Sequence, residues 1–257
     1  SVKGKGKSIF KDVKGVSLHQ VYGPHPAGNV GVQIGKISPI NAGERVWTVT
    51  PQDVATIGEL FLTGKFNATR TVALVGSEVK DAQYYNVISG AAIADLVAGK
   101  IEGDNVRVIS GDVLTGTKVK MDGNLGFLSN TVTVIPEGNV YRMFGWMPFA
   151  SPSVHSASRT GLSWLMPGKK YAPNTNLNGE ERALVVTGEM EAVMPLDIFP
   201  MQLLKACLAS DIDKMESLGI YEVAPEDFAL IDYTNTSKLE AQQIIREALD
   251  LMIKEVG

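Results

Sequence analysis

Between Thr71 and Ile135 the chain contains four short alternating runs: Thr71-Val-Ala-Leu-Val75, Tyr84-Tyr-Asn-Val-Ile88, Val106-Arg-Val-Ile109 and Thr131-Val-Thr-Val-Ile135. β-Branched and aromatic residues fill them, and Gly, Asp, Asn and Ser gather between them, so each is predicted as a strand. Between the second and third runs, Ala91-Ala-Ile-Ala-Asp-Leu-Val97 has helical spacing and stops at Gly99. Two strands, a helix and further strands before about Met147 predict a small sheet wrapped over one helix. That arrangement buries a core efficiently at this size.

The order resembles a β-grasp module, placed at residues 70–147. Upstream, residues 1–69 read as α/β. Ser8–Val13, Val16–Val21 and Val46–Thr50 alternate as strands do, and Thr50-Pro-Gln-Asp53 opens a helix. Thr50 can cap, Pro51 suits the first helical position because it lacks the N–H left over there, and Asp53 can close a capping box. This helix is expected to bury Val54, Ile57, Leu60 and Phe61 and to end at Gly64. Downstream, Pro148–Gly179 is rich in Ser, Pro, Asn and Gly, which predicts a long loop of the kind that is usually functional, a partner contact or disordered. One strand, Arg182–Thr187, closes residues 148–190. Residues 191–257 then read as helical: Pro200–Ala209, Asp211–Leu218, and a last helix opened by Ser237-Lys-Leu-Glu240 with Ile244, Ile245, Ala248, Leu249 and Met252 on one face.

The chain has 257 residues, 44% of them hydrophobic, enough for one large or two modest domains. Its net charge of −4 argues against nucleic acid, which needs a basic stripe. The 20% of charged residues lies under the ~25% norm and favours some surface held against a partner. Cys207 stands alone, so an internal disulfide, a four-Cys zinc site and an all-Cys iron–sulfur cluster are excluded. The longest run without Lys, Arg, Asp or Glu, Gly15–Gly35, is broken by Pro24 and Pro26, and no membrane span or signal peptide is read.

Catalytic patterns are missing. His19, His25 and His155 are dispersed, and Gly161-Leu-Ser-Trp-Leu lacks the second Gly of a nucleophile elbow. Gly28-Asn-Val-Gly31 with Gly35 does not meet the dinucleotide pattern and reads as a Gly-rich turn. Two strings remain as candidate ligand or partner contacts. In Tyr22-Gly-Pro-His-Pro-Ala-Gly28 the prolines stiffen the backbone around His25, so His25, Pro26 and Gly28 form either a contact loop or a rigid turn. In Arg107-Val-Ile-Ser-Gly-Asp-Val-Leu-Thr-Gly116, the residues Arg107, Ser110, Gly111 and Thr115 could hold a polar ligand edge or simply make two tight turns. Cys207 reads as core, and Trp47, Trp146 and Trp164 as core or interface.

Several strings together resemble the A-subunit family of the bacterial Na⁺-translocating NADH:quinone reductases. These are Tyr22–Gly28, Val46-Trp-Thr-Val, Asp53-Val-Ala-Thr-Ile-Gly58, Leu60-Phe-Leu-Thr-Gly-Lys65, Arg107-Val-Ile-Ser-Gly111, Leu114-Thr-Gly-Thr117, Phe144-Gly-Trp146, Asn178-Gly-Glu-Glu-Arg-Ala183 and Met194-Pro-Leu-Asp-Ile-Phe-Pro200. They run collinearly from about Val21 to the C-terminus. The resemblance implies a partial Rossmann-like α/β domain, a β-grasp module of the soluble-ligand-binding kind and a C-terminal helical domain. It also implies that an N-terminal part with a biotin/lipoyl-like β-fold lies outside this chain, which begins at Ser1.

By the same resemblance, relatives that carry an iron–sulfur cluster place cysteines where this chain has Met194, Val223, Glu226, Ala229 and Tyr233. Ser89-Gly-Ala-Ala92 differs by one residue from the Ser-Gly-Ala-Thr string at which sister subunits attach FMN through Thr, and Ala92 has no hydroxyl for that bond. The expectation is a cofactor-free subunit, peripheral on the cytoplasmic side of the bacterial inner membrane. Flavins and the cluster would lie on sister subunits, some of them membrane-embedded, with quinone as a ligand of the complex. Two other readings are a soluble small-ligand-binding β-grasp module outside any redox complex and a nucleotide-binding oxidoreductase using the Rossmann-like part, against which the missing phosphate-binding glycines count.

Overall fold

A computed structural model describes residues 10, 12–141, 154–157, 159 and 161–256 and joins the alternating runs into one sheet. Its strands are β1 (Thr69–Val75), β2 (Gln83–Ile88), β3 (Val106–Ser110), β4 (Thr117–Val119) and β5 (Thr131–Pro136). They are ordered β2-β1-β5-β3-β4, with β1 and β5 parallel at the centre and every other pair antiparallel. A short helix, Ile93–Val97, lies over one face and buries Ile93, Leu96 and Val97 against Val72, Leu74, Val108, Val132 and Val134. Full burial of each Val or Leu is worth about 1.5–3 kcal/mol, and this face holds the module together. The β-grasp order read from the spacing is the order observed. β4 is not legible in the sequence, because three residues are too few to show a period.

The chain divides into two units, Thr48–Glu180 around this sheet and Ser1–Trp47 with Glu181–Gly257 around a helical core. Counting from the N-terminus, the helices are α1 (Val30–Ile37), α2 (Pro51–Thr63), α3 (the helix over the sheet), α4 (Pro200–Leu208), α5 (Ile212–Ser217), α6 (Ala229–Thr234) and α7 (Ala241–Glu255). The mixed α/β content expected from the sequence is present.

In the sheet unit, α2 has the limits its sequence dictates. The Thr50 hydroxyl accepts from Asp53 N, the Asp53 carboxylate accepts from Thr50 N, Pro51 is the first helical residue and Gly64 ends the helix in the left-handed region. Two polar contacts join it to β1. The Gln52 side-chain amide donates to Thr71 O and accepts from Thr71 N, as a strand neighbour would, and Arg70 Nη1 donates to Asp53 Oδ1 at 2.9 Å. The expected burial of Val54, Ile57, Leu60 and Phe61 does not occur: all four are exposed, Phe61 at 86%. The helix is fastened by its first polar turn, and among the described residues nothing covers its apolar side.

The predicted strands Val16–Val21, Val46–Thr50 and Arg182–Thr187 carry no ladder. Alternation alone cannot make a strand where the neighbouring backbone supplies no run of partners: Arg182 N donates to Ser237 O at 2.9 Å, yet no ladder is built on that bond. Of Ser8–Val13, residues 8, 9 and 11 lie outside the described residues, and Val13 N donates to Phe10 O in a turn.

The helical unit packs Met201, Leu203, Leu204, Met215, Ile220, Phe228, Ile231, Ile245 and Met252 into one core. The last helix starts later than its capping box suggests. Ser237 Oγ donates to Ala183 O and Lys238 adopts a φ of 59°, so the chain is still turning there. Asp232 instead accepts from Ala241 N and Gln242 N and caps α7 from outside. Its buried face is as expected, with Ile245, Ala248 and Met252 fully buried.

Helix α1 stands where the sequence suggests only a Gly-rich turn. Its glycines are there for close approach. An ideal Cβ on Gly31 would lie 2.3 Å from Asp227 Oδ2, and one on Gly35 would lie 2.7 Å from Leu196 Cδ2. Only a bare backbone lets α1 seat against the 3₁₀ turn Pro225–Phe228.

Candidate functional site

Each unit carries one of the two candidate strings, and each is described on its own. In the helical unit, the Tyr22–Gly28 string folds into consecutive turns in which Ala27 N donates to Pro24 O at 3.0 Å and Asn29 N to Pro26 O at 2.8 Å. Gln33 of α1 reaches back, its Nε2 donating to Gly28 O at 3.2 Å and Ala27 O at 3.4 Å. The loop is thereby fixed to the start of α1. Asn29 Nδ2 donates to Glu226 O at 3.1 Å and ties that start to the helical core. His25 is exposed on this support, beside half-buried Pro26 and exposed Gly28.

Asp227, against which α1 is seated, is 2% exposed. Burial pushes its carboxyl pKa up, partly offset by bonds from Ala224 N and Val32 N. Asp232 is raised for the same first reason. Both carboxylates face helix starts, where free N–H groups favour negative charge.

In the sheet unit, Ser110, Gly111 and Thr115 come together at one end of the sheet. Ser110 is 6% exposed, its Oγ donating to Ser129 Oγ at 2.9 Å and accepting from Gly126 N at 3.0 Å. Gly111 N donates to Thr131 O, and Gly111 O accepts from Thr133 Oγ1 at 2.7 Å. Thr115 donates to Asp112 from both N and Oγ1, at 2.9 and 2.7 Å. These polar groups are occupied in holding the turns. What they present outward is apolar: Val113, Phe127 and Leu128 are exposed, the last two above 60%. Sequence reasoning does not single out Phe127 and Leu128, although two large apolar residues between Gly126 and Ser129 in a turn are a signal for them.

Arg107 does not join this group. Side chains alternate along β3, so Arg107 lies on the opposite face from Ser110. Its guanidinium forks onto Glu137, with Nε 3.1 Å from both carboxylate oxygens, and Lys118 Nζ adds a contact at 3.1 Å. The Arg107 bonds outweigh burial and, helped by Lys118, hold the Glu137 carboxyl down from 4.5 to about 2. A carboxylate with a depressed pKa contributes stability fully present above its ordinary pKa and lost as pH falls through the folded one. Between pH 4.5 and about 2, therefore, the sheet unit loses this contribution. Glu137→Gln is expected to cost about 2 kcal/mol at pH 7 and almost nothing at pH 2, measured by urea denaturation at both values. An equal loss at both pH values would show that the charge is not what matters.

The remaining sequence candidates fall outside both places. Burial pushes the Cys207 thiol up to about 11, as befits an inert core group. Trp47 and Trp164 are exposed, at 92% and 53%, so neither belongs to a core, and Trp146 lies outside the described residues. Of the five positions matched to cluster cysteines, Met194, Val223 and Ala229 are buried in apolar packing. Ala92 sits just before α3. Among the described residues no three of His, Cys, Asp and Glu converge, and no helix is long and apolar enough to cross a membrane.

Comparison with known proteins covers both units. Residues 1–66 match a family described as the NqrA second alpha/beta domain, and residues 71–121 one described as the NQRA C-terminal domain, which bears the SLBB label. The chain is similar to the Na(+)-translocating NADH-quinone reductase A-subunit of Neisseria meningitidis serogroup B, 39% identical over 241 residues, 93% of this chain and 54% of that protein. The same protein of Serratia proteamaculans is 39% identical over the same shares. That of Hahella chejuensis is 39% identical over 239 residues, 92% of this chain and 53% of its own. The chain thus spans about half the length of the relatives it matches.

Proposed function

We propose, from the premise that the chain belongs to the A-subunit family of the Na(+)-translocating NADH-quinone reductases, that it serves as a peripheral component of such a complex at the cytoplasmic face of the inner membrane. The observation that carries this reading is 39% identity sustained over 93% of the chain. In this role the chain contributes to assembly and to the quinone-reducing end of a complex that couples NADH oxidation to Na⁺ export. Flavins and the iron–sulfur cluster are carried by sister subunits, and this chain contributes contacts in place of redox chemistry.

Two surfaces support a binding role. One is the stiff turn that holds His25, with Pro26 and Gly28 shaping it. The other is the apolar end of the sheet, where Ser110, Gly111 and Thr115 brace Phe127 and Leu128. Large exposed apolar side chains on a hydrogen-bonded loop suit a partner, since they cost little ordering entropy on binding. Arg107 would join a contact only after leaving Glu137.

Affinity capture of the tagged protein from detergent-solubilised membranes tests the proposal, with NADH:quinone reductase activity and its Na⁺ dependence assayed on the eluate. Flavin-bearing partners and Na⁺-stimulated activity are expected to co-elute. Elution of the chain alone would overturn the subunit reading and favour a free ligand-binding β-grasp module, to be tested by ligand-dependent melting shifts. His25→Ala is expected to keep stability within ~0.5 kcal/mol, as an exposed side chain should, while weakening capture or quinone reduction. Unchanged capture and unchanged reduction would reduce the His25 turn to a structural element.

A further inference from the structure

After β5 the chain continues through residues 137–141, which run beside residues 174–180 of the same unit. The bonds joining these two stretches are unusual in kind. Thr175 Oγ1 donates to Glu137 Oε1 at 3.2 Å and accepts from Gly138 N at 2.6 Å. Val140 N donates to Asn176 Oδ1 at 2.9 Å, and Tyr141 OH donates to Glu180 Oε1 at 3.0 Å. Among the described residues every cross-link has a side chain at one end at least, and no backbone ladder joins the stretches. Apolar burial adds little, since Val140, Tyr141 and Leu177 are exposed. The backbones nevertheless meet closely, and an ideal Cβ on Gly138 would lie 2.2 Å from Asn176 N.

The pair is fastened to the sheet by one carboxylate. Glu137 is held by Arg107 of β3, by Lys118 of β4 and by Thr175 from the returning stretch. We propose that residues 137–141 and 174–180 form a latch, closed by Glu137, that opens as one piece while the sheet stays folded. Segments with few buried apolar contacts and side-chain-dependent hydrogen bonds open at a fraction of the global unfolding free energy. Opening this latch also frees Arg107 and Lys118 from their shared carboxylate.

Amide hydrogen exchange followed by mass spectrometry on the 257-residue chain tests the latch, comparing the unaltered protein with Glu137→Gln and Thr175→Val at pH 7. In the unaltered protein, 138–141 and 174–180 are expected to exchange at least tenfold faster than β1 and β5, and both variants are expected to speed the two stretches together about tenfold further. Unchanged exchange in both variants would overturn the proposal. So would acceleration of only one stretch, which would deny that they move together, or exchange of both stretches as slow as that of β1 and β5 in the unaltered protein, which would deny that they open while the sheet stays folded.

Discussion

Gly31→Val lowers the stability of the helical unit by about 3 kcal/mol, at the upper end of what overpacking usually costs. The added Cβ would start 2.3 Å from Asp227 Oδ2. That carboxylate cannot swing away freely, because its other contacts include Ala224 N at 2.9 Å and its residue is buried at the 3₁₀ turn. The helix must therefore lift, and with it go the Asn29 bond to Glu226 O and the support that Gln33 gives the His25 turn. Chemical denaturation followed by far-ultraviolet circular dichroism measures the loss. A change under ~0.5 kcal/mol, the range of a neutral surface substitution, would mean that α1 is not seated on Asp227.

Phe228→Ala costs the same unit about 3–5 kcal/mol. Phe228 has no exposed surface and belongs to the cluster of Met201, Leu204, Ile231 and Ile245 around which the C-terminal helices pack. Its ring leaves a hole that its packed neighbours can fill only in part. Against total stabilities of about 5–15 kcal/mol the loss is large, and the variant should show a clearly lower denaturation midpoint with the slope unchanged. A loss below ~1 kcal/mol would mean that the core collapses onto the vacancy, which its methionines could do if they are free to rearrange.

The parts of this protein legible in its sequence are those whose signals are local. The sheet is legible because each of its longer strands carries its own alternation, and α2 because Thr50, Pro51, Asp53 and Gly64 mark both its ends. α1 is hidden because its glycines answer to Asp227 and Leu196, well over a hundred residues away. The true start of α7 is hidden for a related reason: its cap is Asp232, not the nearby Ser237. The segments around Val16, Val46 and Arg182, which carry no ladder, show the converse. Alternation is a local property, whereas pairing depends on what lies alongside.

The candidate contacts divide in the same way. The stiffness of the His25 turn is readable from its prolines, and its exposure is what that stiffness suggests. At the end of the sheet, the small hydroxyl residues draw attention, yet their hydrogen bonds face inward. The outward groups are Phe127 and Leu128, which composition alone assigns to a core. Arg107 looks free in the sequence because its partner, Glu137, is thirty residues further on.

The central strand pair also sets a schedule for synthesis. Ala73 of β1 pairs with Thr131 of β5, so a nascent chain has the first hairpin long before the strand that must lie at its flank. Until Thr131–Pro136 has left the ribosome, β1 keeps an open edge, and the cluster of Val72 and Leu74 lacks Val132 and Val134. Such long-range parallel pairing is slow, because loop closure precedes the contacts that reward it. In translation-arrest experiments, chains ending before β5 should therefore remain protease-sensitive throughout β1 and β2. Resistance should arrive in one step once β5 is out.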